Sequence, residues 1–129
     1  MKEILYVQQD NWREVESSSK PVLVDFWAEW CPPCRMLAST FEKLAANYGE
    51  QIIFAKVNVD ELPEVAVQYG IQSIPTLLLL RGGEVLEELV GARPYQDLAR
   101  VLDRHLASAD QSTEKSDEKS PARVSRMVN

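Results

Sequence analysis

The sequence is organised around Asp25-Phe26-Trp27-Ala28-Glu29-Trp30-Cys31-Pro32-Pro33-Cys34, which leads from an apolar run into a helical pattern. Cys31 and Cys34 are the only two cysteines among the 129 residues. A disulfide between them would close a four-residue loop, and the stabilisation that a cross-link gives falls as its loop shortens. The pair is therefore better suited to chemistry than to stapling the fold.

Strand-like and helix-like segments alternate on both sides of this stretch. The runs 21–28 and 52–59 are almost continuously apolar, which is typical of strands buried on both faces. Between them, apolar residues recur at three- and four-residue spacing up to Gly49, and this spacing predicts a helix. Because a proline disfavours the helical conformation in the residue before it, the helix is expected to begin at Pro33. Asp10 and Asn11 offer capping oxygens for an earlier helix.

The second half of the pattern ends in a hairpin and a helix. Pro63 and Pro94 stand where helices are expected to begin, and Gly82-Gly83 predicts a tight turn between two strands. The whole order is β-α-β-α-β-α-β-β-α. It predicts an α/β fold, with a central mixed β-sheet flanked by helices on both faces.

The pattern stops near residue 108. Residues 110–129 contain four acidic residues, four basic residues and four serines, and no aromatic residue. Such a segment buries too little apolar area to offset the entropy of ordering it. We therefore predict one domain over 1–108 and a disordered polar tail over 109–129. A docking or regulatory segment around 123–128 is the alternative for the tail.

Composition bounds the classes of function. The net charge is −6, which argues against nucleic-acid and anionic-membrane binding, since both need clustered Lys and Arg. The first ten residues lack the apolar stretch of a signal peptide, and the run 77–80 is too short to span a bilayer. We expect a soluble cytoplasmic protein whose exposed thiols are reduced at rest.

The position of the cysteine pair favours redox chemistry. Cys31 precedes the helical pattern, where free N–H groups and the helix dipole favour a thiolate, and the flanking prolines suggest that it is exposed. Cys34, one turn further on, is expected to face inward. A zinc site would need more ligands than the single distant His105. A metal or cluster shared between two chains and an inert buried pair remain alternatives.

Four segments, in order, resemble the thioredoxin family. They are the stretch around the cysteines, Ala55-Lys56-Val57-Asn58-Val59-Asp60, Tyr69-Gly70-Ile71-Gln72-Ser73-Ile74-Pro75-Thr76 and Val90-Gly91-Ala92. The resemblance covers about residues 3–107. It departs at Pro32, where thioredoxins usually carry glycine, and in the tail. It implies the thioredoxin fold and an enzyme that reduces protein disulfides through a Cys31/Cys34 dithiol. Alternatives are the same fold acting as an oxidant or isomerase, and a weakly active partner-binding module.

The resemblance also implies a role for individual residues. Cys31 would be the attacking thiolate and Cys34 the resolving thiol. Asp25 would be a buried carboxylate that helps to deprotonate Cys34, with Lys56 as its charge partner. The substrate surface would comprise a cis-proline segment and apolar neighbours, namely Trp30, Pro32, Pro33, Val59, Ile74, Pro75, Val90, Gly91 and Ala92.

The same resemblance implies how the protein is recycled. We expect no bound cofactor and no metal. The Cys31–Cys34 disulfide would be reduced by an external thioredoxin reductase, either NADPH-linked or ferredoxin-linked. The expected partners are protein disulfides and that reductase, and the expected oligomeric state is a monomer.

Overall fold

A computed structural model of the chain describes residues 3–115, with side chains described for residues 3–107. The predicted order of elements is confirmed. The strands and helices are β1 Ile4–Tyr6, α1 Trp12–Glu16, β2 Val22–Trp27, α2 Pro32–Tyr48, β3 Ile53–Asn58, α3 Pro63–Gln68, β4 Thr76–Arg81, β5 Glu84–Val90 and α4 Tyr95–Lys115. Within the described residues, no helix combines the length and the apolar character that crossing a membrane requires.

The five strands form one mixed sheet in the order β1-β3-β2-β4-β5. β1, β3 and β2 are parallel, whereas β4 runs antiparallel to β2 and β5 runs antiparallel to β4. The hairpin between β4 and β5 turns at Gly82 and Gly83, whose φ angles are +58° and +82°. Side chains rarely adopt such angles, so the two glycines make the predicted tight turn possible.

Helices cover both faces of this sheet because side chains alternate along each strand. On one face, Ala55 and Val57 of β3 belong to a buried cluster with Trp12 of α1 and Val65 of α3. The intervening position, Phe54, contacts Phe41 of α2 edge to face, with ring centroids 5.3 Å apart. The predicted layers are thus present, and the sheet holds the start of α2 at the end of β2.

The chain divides into two units, Met1–Tyr95 and Gln96–Asn129. The first contains the sheet and α1 to α3. In its described part, the second is the helix up to Lys115, in which Leu98 and Leu102 are buried. Residues 109–115 continue the helix beyond the predicted boundary at 108. Residues 116–129, which hold the rest of the predicted tail, lie outside the described residues.

Two local predictions about helix starts are wrong. α2 begins at Pro32 rather than Pro33, because both positions of the first turn tolerate proline and the first bond, from Arg35 N–H to the Cys31 carbonyl, is formed at 3.2 Å. The Asn11 side chain does not cap α1. Its Oδ1 instead accepts a hydrogen bond from the backbone N–H of Gln8 at 2.8 Å, which stabilises the turn before the helix.

Candidate active site

Cys31 and Cys34 form a disulfide at the N-terminus of α2, with their Cα atoms 5.3 Å apart. Cys31 is the N-cap residue of this helix of 17 residues, and its Sγ accepts a hydrogen bond from the backbone N–H of Cys34 at 3.2 Å. An N–H donor and the positive end of the helix dipole both stabilise negative charge on sulfur. Cys31 therefore stands where a thiolate is favoured once the disulfide opens.

The expectation that Cys31 is exposed is wrong. Only 3% of Cys31 and 2% of Cys34 are accessible to solvent, because both pack in a small cluster with Ala28, against which Val59 and Ile74 lie. The Sγ atom of Cys31 lies 3.9 Å from the Ile74 carbonyl oxygen. The family resemblance placed Val59 and Ile74 in the substrate surface, but it did not indicate that they leave Cys31 so little accessible area. Cys34 faces inward, as expected.

The segment that covers Cys31 contains a cis peptide bond between Ile74 and Pro75. Pro75 is buried and Ile74 is half-buried. The Pro75 carbonyl accepts a hydrogen bond at 2.8 Å from the backbone N–H of Gly91, so the loop after β5 is tied to this segment. The structure therefore brings together four of the expected substrate-site residues. Val59 and Ile74 lie against Cys31, and Gly91 is hydrogen-bonded to Pro75.

The remaining expected contact residues lie on the surface. Pro32, Pro33 and Ala92 are exposed, as is Val90. Trp30 is 65% exposed, and its indole Nε1–H donates to Asp60 Oδ2 at 2.8 Å. This bond orients the exposed ring. Sequence reasoning missed Asp60, because nothing local links two residues thirty positions apart.

Asp25 is completely buried in the middle of β2. It stands opposite Lys56 of β3 in the parallel ladder, and the Lys56 Nζ lies 4.0 Å from Asp25 Oδ2. Neither carboxylate oxygen has a hydrogen-bond partner among the described residues. Burial raises the pKa of Asp25 to about 7, although the charge of Lys56 partly opposes this rise. The carboxyl can therefore take up or release a proton near neutral pH.

Aromatic rings surround the Lys56 ammonium. Its Nζ lies 4.7 Å from the centroid of the Trp27 ring and 5.9 Å from that of Tyr6. Both distances fall within the range of cation–π attraction. The Lys56 side chain is only 10% exposed, and the two rings give its ammonium favourable contacts in addition to Asp25. Neither Trp27 nor Tyr6 was assigned a part in the site from the sequence.

A two-cysteine disulfide at the start of a helix, carried by this mixed sheet, defines a thiol–disulfide oxidoreductase. The family model for thioredoxin matches residues 3–104. The thioredoxin of Chlorobaculum thiosulfatiphilum is 52% identical over 93 residues, which are 72% of this chain and 86% of that protein. Thioredoxin 1 of Synechococcus elongatus is 53% identical over 94 residues, covering 73% and 88%. Thioredoxin M-type, chloroplastic, of Zea mays is 44% identical over 108 residues, covering 83% and 65%.

The chain belongs to the thioredoxin family. It is a protein-disulfide reductase that works through the Cys31/Cys34 dithiol, and this confirms the main functional prediction. Its partners are protein disulfides and a reductase that restores the dithiol. None of these comparisons favours the oxidant, isomerase or binding-module alternatives.

Proposed function

We propose that Cys31 attacks the target and that Cys34 resolves the intermediate. The Cys31 thiolate attacks one sulfur of the target disulfide, whose second sulfur leaves as a thiolate and takes up a proton. Cys34, once deprotonated, attacks Cys31 Sγ and displaces the first target sulfur. Two electrons pass from the dithiol to the target, and the Cys31–Cys34 disulfide forms. The observation that carries this assignment is the Cys34 N–H bond to Cys31 Sγ, since it stabilises negative charge on Cys31 alone.

In this proposal, Asp25 accepts the proton of Cys34 during resolution. A general base works best when its pKa lies near the working pH, and burial brings the pKa of Asp25 to about 7. Both of its oxygens lack a hydrogen-bond partner within the described part of the chain, so they remain able to accept a proton. Lys56, at 4.0 Å, is the charge partner that keeps part of the Asp25 population ionised.

Targets are proposed to dock along the Ile74–Pro75 segment as an added strand. Strand addition uses main-chain hydrogen bonds for affinity and side-chain contacts for specificity. The exposed apolar side chains of Trp30 and Val90 would supply such contacts, together with Ala92. Pro32 and Pro33 would present a stiff, exposed surface at the start of α2.

The setting proposed for the reaction follows from this chemistry. The dithiol itself carries the two electrons, so the reaction needs no bound cofactor and no metal. We propose a cytoplasmic monomer recycled by either an NADPH-linked or a ferredoxin-linked reductase. A reducing compartment suits a dithiol that must be regenerated. Supplying the oxidised protein with each type of reductase, and following the appearance of its thiols, distinguishes the two sources of electrons.

Three variants test the assigned roles. Cys34→Ser should accumulate a mixed disulfide with a disulfide-containing target protein, whereas Cys31→Ser should form none and should lose turnover. Asp25→Asn should slow release of the mixed disulfide on the order of 100-fold near pH 7, and should abolish the inflection near pH 7 in the rate. Turnover by Cys31→Ser would refute the nucleophile. An unchanged pH profile in Asp25→Asn would refute the base.

A further inference from the structure

The indole of Trp30 is held by a side chain from another part of the chain. Trp30 stands in the loop between β2 and α2, and its Nε1–H donates to Asp60 Oδ2 at 2.8 Å. Asp60 lies in the turn between β3 and α3. Because β2 and β3 are parallel neighbours, the segments that follow them emerge at the same edge of the sheet. The fold thus brings together two residues that are thirty positions apart in sequence.

Hydrogen bonds to Asn58 fix the turn that carries Asp60. Asn58 is the last residue of β3, and its Oδ1 accepts from the backbone N–H groups of Asp60 at 2.8 Å and Glu61 at 3.3 Å. Its backbone carbonyl accepts from the N–H of Leu62 at 2.9 Å, and the Leu62 side chain is buried. An asparagine side chain that bonds the backbone two residues further on stabilises a turn. The Asp60 carboxylate therefore stands at a defined place beside the loop that carries Trp30.

The Trp30 side chain is largely open to solvent, so packing does little to fix its ring. The backbone of its loop is tied to α2, because Arg35 Nη1 donates to the Glu29 carbonyl at 3.3 Å. Trp30 itself is 65% exposed, and a side chain with few packing contacts can occupy several staggered rotamers. The bond to Asp60 selects one of these rotamers. A carboxylate acceptor makes such a bond stronger than one between neutral groups.

We propose that Asp60 is a positioning residue for protein-disulfide reduction, whose carboxylate holds the Trp30 ring in the orientation in which a docking target meets it. Ordering a freely rotating side chain on binding weakens a complex, whereas a ring that is already held loses little freedom. Exposed aromatic anchors carry a large share of the affinity of many interfaces. This inference rests on the proposed role of Trp30 as a contact for protein targets, and it requires no contact between Asp60 and the reacting sulfur atoms.

Asp60→Ala tests this role, because it removes the acceptor and keeps the backbone N–H that bonds Asn58. Ordering one freed side chain weakens binding by a factor of about two to ten. KM for a protein disulfide should therefore rise by that factor while kcat stays the same. Asp60→Asn keeps an oxygen acceptor without the charge and should restore most of the lost affinity. Glu61→Ala removes the neighbouring carboxylate of the same turn and is the matched control, whose KM should equal that of wild type.

An NMR measurement separates positioning from a general loss of stability. The indole N–H signal of Trp30 is identified as the one that Trp30→Ala lacks. Nitrogen relaxation of this signal should show greater motion on the ps–ns timescale in Asp60→Ala, and its N–H should exchange faster with water. In Asp60→Asn, both quantities should stay close to their wild-type values.

The outcomes separate this inference from the docking role on which it rests. Asp60→Ala should add nothing to the KM of Trp30→Ala, because Asp60 acts through that ring. If Trp30→Ala raises KM and Asp60→Ala does not, the inference is overturned and the docking role stands. It is also overturned if the rise in KM comes without greater indole motion, or persists equally in the Trp30→Ala background. If Trp30→Ala itself leaves KM unchanged, the docking role fails and the inference falls with it.

Discussion

Replacing Asp25 by Asn should make the oxidised protein more stable, and the gain should depend on pH. The pKa of Asp25 is 3.8 in its ordinary state and about 7 in the fold. Between these values the folded protein holds a proton that the unfolded chain has released. Ionisation of Asp25 therefore does not lower the free energy of unfolding below about pH 4. It lowers this free energy progressively as the pH rises, and the loss is complete above pH 7.

The size of the effect follows from the shift. About three pKa units, at 1.36 kcal/mol per unit, amount to about 4 kcal/mol of destabilisation at pH 8. This is a large part of the roughly 5–15 kcal/mol by which ordinary domains are stable in total. Asparagine keeps the shape of aspartate and cannot ionise. From pH 4 to pH 8, the stability of Asp25→Asn relative to wild type should therefore rise by about 4 kcal/mol.

Urea unfolding of the oxidised protein at a series of pH values measures this change. Urea is preferable to guanidinium chloride, because urea is uncharged and keeps the ionic strength constant across the titration. Every other ionisable group is present in both proteins, so its contribution cancels in the difference. Asp10→Asn, at an exposed aspartate, is the matched control and should change stability by less than about 0.5 kcal/mol. A difference between wild type and Asp25→Asn that stays within about 1 kcal/mol from pH 4 to pH 8 would refute the reasoning from burial.

Two further substitutions test the surface and the hairpin. Trp30→Ala should raise KM for a protein disulfide about tenfold or more and leave the reduction of a small disulfide unchanged, because the exposed ring contacts only an extended target. Val67→Ala removes another exposed apolar side chain, on α3, and is its control; equal losses in the two variants, measured by steady-state kinetics, would contradict the contact role. Gly82→Ala should lower the free energy of unfolding by about 1–2 kcal/mol, since its φ is +58°. Gly49→Ala, at φ −66°, should cost much less, and similar costs at both glycines would argue against backbone strain.

Much of the fold could be predicted because its signals are local. The apolar runs around β2 and β3 need no partner to be recognised, and the two glycines of the hairpin turn permit positive φ angles wherever they stand. The errors arise where two local tendencies compete. Proline both disfavours helix in the residue before it and fits the first turn, and at Pro32 the second tendency prevails. Asn11 can cap a helix or close a turn, and it closes the turn.

The sequence predicts which residues form the site better than it predicts their surroundings. Family resemblance points to Cys31, Cys34 and Asp25, since each stands in a motif. The cover over Cys31 depends instead on segments that follow β3 and precede β4, and a cavity over Lys56 brings together residues that are distant in sequence. The pairing of Tyr6 with Lys56 across β1 and β3 is one such case. No sequence pattern within either strand predicts this pairing, so only the structure shows the environment of Lys56.

The effect of Pro32, at which the sequence departs from the resemblance described above, can be judged from the helix cap. Cys31 is the N-cap of α2, and the sulfur of an N-cap residue receives N–H groups from the second or third helical position. The third is Cys34, whose N–H makes the bond to Cys31 Sγ, and the second is Pro33, which has none. Pro32 occupies the first position, whose N–H has no role in the cap. Pro32 therefore removes no donor from the Cys31 sulfur. The Cys34 N–H and the dipole of α2 still stabilise the Cys31 thiolate, and this stabilisation helps to set the balance between dithiol and disulfide.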